Sequence, residues 1–330
     1  MKLVVLAGLV LAGHAAIAFE LWPVTDRELV PLRRLKCIHR LDESVKQAVD
    51  VVMFGDSVLA HSPKKDKDRR AISKILDKLL PDEHVAAVHH PAFHMQVYER
   101  LIEHALAGGR IPVKHFVVPI NMRSFSTSWH LRPRYQFDAL RRYLKYDGPL
   151  YRFAYRPLHI FKALEPPVSQ VDFQSLAVYA DDEYEGRVKD FLVDDAALSK
   201  FTFHYMEELR PDHPKMRAMT HIAQMTRDAG VDVVFFVYPL NLRYGETVEG
   251  PRLREHVQAN IRTIQKVLSQ YGQHALDLSD TIPPSFFSSS KTAGEHLSEK
   301  GRRFVARKLS EEILSRESRV AAIDQRRNVE

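Results

Sequence analysis

Five short apolar runs, separated by stretches with the periodicity of amphipathic helices, restrict this chain to an alternating β/α fold. The runs are Val49–Phe54, His84–His90, Val113–Ile120, Val231–Tyr238 and His274–Leu278. Each is nearly continuous in apolar residues, which is typical of parallel strands covered by helices on both faces. The alternation therefore predicts a doubly wound α/β fold with right-handed connections between parallel strands.

The alternation is interrupted between about residues 123 and 212. This stretch is rich in aromatic residues and arginine, then acidic, and it contains no clear strand. We predict a mostly helical insertion that covers the carboxyl edge of the sheet. It would lie within a single domain spanning residues 36–316, followed by a polar tail at 317–330.

The composition is that of an ordinary globular protein, with 45% hydrophobic and 27% charged residues. The 48 basic and 42 acidic residues leave a net charge of +6, and the basic residues are scattered in short patches. This distribution does not favour a nucleic-acid partner. Cys37 is the only cysteine, so an intrachain disulfide and a cysteine cage for a metal are both excluded.

The N-terminal stretch, residues 1–18, predicts export. Lys2 precedes an apolar run from Leu3 to Phe19, and Ala16-Ile17-Ala18 has the small-x-small pattern of a signal-peptidase site. The run is also nearly long enough to remain as a membrane anchor. We expect an exported protein that is periplasmic or anchored by this segment. Cleavage and retention stay open, as does a buried N-terminal element of a cytosolic protein.

Three polar residues stand where strands end or where the last helix begins. Ser57 follows the first strand in Gly55-Asp56-Ser57, Asn121 follows the third strand, and His296 precedes the final helix. In open α/β sheets, ligands bind beyond the carboxyl ends of the strands. A serine needs a base to become a nucleophile, and acyl transfer needs donors for the developing oxyanion. The sequence therefore predicts Ser57 as nucleophile, His296 as base and Asn121 as oxyanion donor.

These residues resemble the motifs of the SGNH/GDSL-type esterases and acyltransferases, over about Val49 to Leu309. The resemblance implies a flavodoxin-like three-layer αβα sandwich and a catalytic Ser–His pair. It also implies an oxyanion hole that includes the N–H of the serine itself.

The sequence departs from the family pattern at two places. Ala293 stands where the family places an aspartate three residues before the histidine, and Glu295 is the nearest acid. Asp277, Asp280 or a backbone carbonyl could orient the ring instead, or Ser57 and His296 could act as a dyad. The family also uses a glycine after the second strand to stabilise the oxyanion, and this glycine is missing here. We expect the backbone N–H of Ala92 to take its place.

The residues that we expect to contact substrate lie around the same edge: Asp56, Ala92, Arg123, Trp129 and Asn241. The histidines between residues 84 and 94 suggest a metal, but neighbouring residues of a strand point in opposite directions and no HExxH pattern accompanies them. We predict no metal and no cofactor.

The predicted function is that of a serine esterase or O-acyltransferase acting on ester groups, acetyl above all, of a carbohydrate or cell-envelope glycan. A membrane-bound O-acyltransferase is a partner by resemblance only. The alternative is a non-catalytic module that keeps the fold and binds a glycan or a partner. A lipase is a third hypothesis, which the charged insertion does not favour.

Overall fold

A five-stranded parallel sheet forms the centre of the protein. The computed structural model describes residues 2–18, 32–109, 111–126, 204–292 and 294–327, with positions 129, 135, 137, 140, 141, 144 and 201. The strands are β1 Val51–Gly55, β2 Val85–His89, β3 His115–Ile120, β4 Asp232–Val237 and β5 Ala275–Asp277. All five predicted strands are present, and their boundaries differ from the prediction by at most two residues.

Helices cover both faces of this sheet. The helices of the described chain, including α1, which is not part of the core, are α1 Lys2–Ala18, α2 Leu32–Lys46, α3 Ser57–Ala60, α4 Ile72–Leu79, α5 Met95–Leu106, α6 Pro214–Asp228, α7 Leu242–Glu249, α8 Arg252–Ser269 and α9 Glu299–Arg327, with 3-10 turns at Met122–Phe125 and Pro284–Phe286. Gly230 follows α6 in the left-handed region at φ +69°, the conformation in which a glycine commonly ends a helix.

The alternating side chains of the strands divide the core into two layers. Val52 and Phe54 of β1 pack in the layer that contains α2, α5, α6 and α8. Val51 and Met53 face the opposite layer, which is formed by α4 and α9. Every residue of β1 and β3 is buried, because helices cover both sides. The prediction of a three-layer α/β sandwich with a parallel sheet is confirmed.

The strand order, β2-β1-β3-β4-β5, fixes where a ligand can bind. The chain leaves β1 toward β2 on one side and then crosses to β3 on the other side. This reversal is the switch point of a doubly wound sheet of the flavodoxin type, and it opens a crevice at the carboxyl ends of β1 and β3. Ser57 and Asn121 follow these two strands.

The first helix, α1, exposes an apolar surface. Val5, Leu6, Leu9, Val10 and Leu11 are each 57–66% exposed. Within the described part of the chain, no helix combines the length and the apolar character needed to cross a membrane.

The predicted insertion at 123–212 falls largely outside the described residues. Its first residues form the 3-10 turn Met122–Phe125, and its last part includes Tyr205 and Leu209, which are buried. The helical prediction for the remainder concerns residues that the structure does not describe. At the other end of the chain, α9 continues into the segment predicted as a polar tail and ends at Arg327.

Gly301, in the first turn of α9, packs against backbone and gives a test of this arrangement. A Cβ at this position would lie 2.3 Å from the carbonyl oxygen of Phe286, which cannot move as a flexible side chain would. We expect Gly301→Ala to lower the free energy of unfolding by about 1–3 kcal/mol, measured by urea denaturation. Gly108→Ala is the control, because a Cβ there meets nothing within 4 Å. Equal stability of the two variants would contradict this packing.

Candidate active site

The strand β1 ends at Gly55, and the next two residues present the serine. Asp56 caps the short helix α3, because its Oδ1 accepts a hydrogen bond from the N–H of Val58 at 2.8 Å. Ser57 is therefore held as the first residue of α3, half-buried at the carboxyl edge of the sheet. Gly55 allows Leu59 to fold back closely, since a Cβ at position 55 would lie 2.6 Å from that side chain.

The histidine predicted as base reaches this serine. His296 Nε2 lies 3.2 Å from Ser57 Oγ, although the two residues are 239 positions apart. Two contacts hold the loop that carries His296. The backbone carbonyl of His296 accepts a hydrogen bond from the Ser288 N–H at 2.8 Å, and the next residue, Leu297, is fully buried and forms a β-bridge with Phe287. The geometry suits proton transfer from the hydroxyl to the ring.

A second histidine, His61, stacks on the ring of His296. The ring centroids lie 4.2 Å apart at an interplanar angle of 27°. The pKa of His296 is lowered to about 4, first by burial and then by His61 and Arg123, whereas Asp56 acts in the opposite direction. The ring is therefore unprotonated near neutral pH, which is the state that a general base requires.

A buried cluster of charges lies behind the pair. Asp56 and Glu295, the residues that precede Ser57 and His296, are both completely buried. The guanidinium of Arg123 contacts Asp56 Oδ2 at 3.2 Å and Glu295 Oε2 at 3.2 Å. One arginine therefore bridges the two segments that present the hydroxyl and the imidazole.

Glu295, predicted as a possible orienting acid, is engaged elsewhere. Its Oε1 accepts a hydrogen bond from the hydroxyl of Tyr205 at 2.9 Å. Burial raises the pKa of Glu295 to about 7, with a further increase from Asp56 and opposing effects from Arg123, Tyr205 and Asn121. Among the described residues, no hydrogen bond or ion pair joins its carboxylate to His296.

The two other acids considered for this role are also placed elsewhere. Asp277 Oδ1 accepts from the Ser279 N–H at 2.9 Å. Asp280 forms an ion pair with Arg254. Within the described ranges, no acid is found in contact with Nδ1 of His296.

Asn121 lies at the predicted strand end, but its amide faces inward. Its Nδ2 donates to Asp56 Oδ2 at 2.7 Å, and the residue is only 4% exposed. The structure therefore brings Asn121 to the cluster beside Ser57. Its role as oxyanion donor stays a prediction.

Ala92 adopts a conformation that glycine usually supplies. It follows β2 in the left-handed region at φ +67°, and β2 pairs with β1 so that His89 lies opposite Gly55. The backbone beyond β2 therefore takes the left-handed turn at the position for which the resemblance implies a glycine. No hydrogen bond from the Ala92 N–H is found among the described residues.

The remaining predicted contacts divide into one accessible residue and one buried residue. Trp129 is half-buried, and the guanidinium carbon of Arg123 lies 4.9 Å from its ring centroid. Asn241 is 2% exposed, and its Nδ2 donates to the carbonyls of Ser290 and Thr292 at 3.0 and 3.3 Å. Asn241 therefore supports the loop that leads to His296 and is not open to a substrate in this structure.

Sequence reasoning missed the residues that support the site from behind. Arg302 of α9 is fully buried; it donates to the carbonyls of Arg70 and Asp68 and pairs with Asp66 at 2.9 Å. It therefore ties the segment 61–70, which follows the nucleophile, to the helix that follows the base. In the sequence, Arg302 looks like any solvent-exposed arginine of a basic helix. Only its contacts with the distant segment 61–70 show that it is buried.

Comparison with known proteins gives matches in structure only. No protein-family model and no curated protein matches the chain. Two similar solved structures are mutants of Axe2, an acetyl-xylooligosaccharide esterase from Geobacillus stearmophilus, with 10% and 9% sequence identity. Each match covers 80% of this chain and 94% of the esterase, with a TM-score of 0.39. The function proposed below therefore rests on the geometry of the site.

Proposed function

We propose that this protein is a serine esterase or O-acyltransferase that works through Ser57 and His296. The observation that carries the proposal is the 3.2 Å contact between Ser57 Oγ and His296 Nε2 at the switch point of the sheet. Both residues are half-buried, so the pair is supported by the protein and still open to a substrate. A hydroxyl with an adjacent unprotonated imidazole is the arrangement that nucleophilic acyl transfer requires.

In the first step, Ser57 Oγ attacks the carbonyl carbon of an ester while His296 Nε2 takes the hydroxyl proton. The tetrahedral intermediate collapses, the bond to the leaving oxygen breaks, and the imidazolium returns the proton to that oxygen. An acyl-enzyme and an alcohol result. In the second step, His296 takes a proton from water or from an acceptor hydroxyl, and the oxygen attacks the acyl carbon. The bond from that carbon to Ser57 Oγ then breaks, His296 returns the proton to Oγ, and the free acid or the new ester leaves.

The oxyanion would be stabilised by backbone N–H groups at two strand ends. Ser57 occupies the first position of α3, where the backbone N–H has no partner within the helix. Ala92 follows the neighbouring strand with its backbone in the left-handed region. We propose these two N–H groups as the first donors and Asn121 as a further one through the second N–H of its amide, since the first donates to Asp56 Oδ2.

The proposed substrate is an acetylated carbohydrate or cell-envelope glycan. Trp129 is half-buried, stacks on Tyr135 at 4.4 Å between ring centroids and has Arg123 over its ring, so we propose that the exposed part of this aromatic cluster contacts the sugar. We further propose that the protein is exported and that α1 serves as leader or anchor, in keeping with its exposed apolar side chains. Mass spectrometry of the purified protein from membrane and soluble fractions would show whether residues 1–18 are retained.

The direct test of the proposal is active-site labelling. A fluorophosphonate should modify the full-length protein on Ser57, as located by peptide mass spectrometry, and acetylated xylan or acetylated cell-wall glycan should release acetate. Acetate that appears on an added sugar acceptor instead would identify a transferase. If Ser57 stays unlabelled and no acyl group is turned over, the alternative, a non-catalytic binding module, is favoured. The observation in support of this alternative is that no acid contacts His296 among the described residues.

The pH dependence of the reaction provides a second test. Because the pKa of His296 is lowered to about 4, the base form is already dominant at pH 5. We expect kcat/KM to rise through about pH 4 and then stay level toward pH 7. His61→Gln should move this rise to higher pH, because His61 lowers the pKa of His296. His39→Gln, at an exposed histidine, should leave the profile unchanged. A rise centred near pH 6.5 in the unmodified protein would refute the lowering of the His296 pKa by burial and by His61.

A further inference from the structure

A second cluster of ionisable side chains lies at the opposite edge of the sheet, at the amino ends of the strands. Glu83 precedes β2, His115 is the first residue of β3, and Glu317 projects from α9. One ligand atom from each of the three lies within 4.8 Å of the other two. An imidazole and two carboxylates from three separate elements therefore converge on one point.

The ring of His115 is oriented by a fourth residue. Its Nδ1 lies 3.1 Å from Asp232 Oδ2, and its Nε2 points to Glu317 Oε1 at 3.4 Å. A carboxylate that accepts from one ring nitrogen leaves the other nitrogen as a lone-pair donor, which is the usual support of a metal-binding histidine. The side chain of His115 is only 6% exposed, so this orientation is fixed by packing.

Glu83 places a second carboxylate against that of Glu317. Its side chain is 5% exposed, its Oε1 lies 3.4 Å from Lys114 Nζ, and a side-chain hydrogen bond joins the two glutamates. A hydrogen bond between two carboxylates needs one shared proton, and a bound metal ion would take the place of that proton. The pair therefore offers carboxylate oxygens from two separate elements to a cation.

We propose that Glu83, His115 and Glu317 form a binding site for a divalent transition-metal ion, with Zn²⁺ as the best match. One imidazole nitrogen and two carboxylate oxygens are a ligand set that zinc accepts, with water in the remaining position. The Glu317 side chain is 34% exposed, which gives the ion and its water a path from solvent. The prediction of no metal concerns only the histidines between residues 84 and 94, because Glu83, His115 and Glu317 are far apart in the sequence.

The ion would fasten α9 to the sheet. Glu317 belongs to the same helix whose first turn follows His296, while His115 and Asp232 begin the two central strands β3 and β4. The site lies at the far edge from Ser57, so its role is structural and its test does not depend on the proposed esterase activity.

The test is zinc binding by the full-length protein. After treatment with EDTA and buffer exchange, the protein is titrated with ZnCl₂ by calorimetry, and its metal content is measured after desalting. We expect about one tightly held Zn²⁺ per chain and a raised Tm. His115→Gln and Glu317→Gln should each weaken binding at least about 10-fold, and Asp232→Asn by about 10- to 100-fold.

Glu311→Gln serves as the matched control, because Glu311 is exposed on the same helix and pairs only with helix neighbours in the described structure. It should bind zinc as the unmodified protein does. Circular dichroism of each variant without zinc separates loss of binding from loss of fold. The proposal is overturned if the unmodified protein retains no zinc, or if folded His115→Gln and Glu317→Gln retain it equally well.

Discussion

Replacing Ser57 with alanine is expected to lower the rate of p-nitrophenyl acetate hydrolysis by about 10,000-fold or more. The hydroxyl is the proposed nucleophile, and its removal leaves only the oxyanion donors and substrate binding. The fold should be unaffected, because His296 is the partner that the Ser57 hydroxyl has among the described contacts. Steady-state kinetics with thermal unfolding of the same sample would measure both effects.

Ser62→Ala is the matched control for this substitution. Ser62 is also half-buried and lies on the segment that follows α3, yet it is not part of the proposed pair. The control should keep both activity and fluorophosphonate labelling. If Ser57→Ala hydrolyses the ester as fast as the unmodified protein does, the acyl-enzyme mechanism is wrong.

Replacing Arg123 with methionine is expected to cause the largest loss of stability. The substitution would leave the carboxylates of Asp56 and Glu295 facing each other without a cation, in a region where both are completely buried. Breaking a buried ion pair by removing one partner costs about 3–5 kcal/mol of unfolding free energy. Urea denaturation would measure this loss, and activity should fall with it because both segments of the Ser–His pair are joined by this arginine.

A second substitution makes the prediction specific to the charge cluster. Without Arg123, the Glu295 carboxyl must either stay charged without a cation or take up a proton, since its pKa is already raised to about 7. Glu295→Gln removes this cost, so the double variant Arg123→Met, Glu295→Gln should recover part of the lost stability. Arg243→Met, at an exposed arginine, should change the unfolding free energy by less than about 0.5 kcal/mol. Additive effects of the two buried substitutions would contradict a direct coupling between Arg123 and Glu295.

The sheet could be predicted because each strand is a short apolar run that can be recognised from neighbouring residues alone. A run such as Val113–Ile120 is apolar throughout, and this pattern depends only on burial from both faces. The predicted convergence of Ser57 and His296 followed from the same rule, since strand ends of a parallel sheet share one edge. The general geometry of parallel α/β sheets, and not the local sequence, thus predicts that these two distant residues meet.

The supporting residues could not be predicted in this way. Whether Glu295 faces the imidazole of His296 or the guanidinium of Arg123 depends on the rotation of one loop residue. The hydrophobic periodicity of the sequence does not predict this rotation. Tyr205 reaches the same carboxylate from the end of a segment in which no strand pattern exists. In the structure, Glu295 contacts Arg123 and Tyr205, and its role as the acid that orients His296 stays a prediction.

The anchorage of residues 61–70 by Arg302 has a consequence for recognition. A segment held by a buried guanidinium is already ordered before any ligand arrives, so binding against it requires no loss of loop entropy. For the proposed esterase, selection among esters should then be decided by other residues at the carboxyl edge, and Ala92 and Trp129 are the candidates. Engineering of acyl or acceptor preference is best directed to those residues, with the Arg302 side left unchanged as a template.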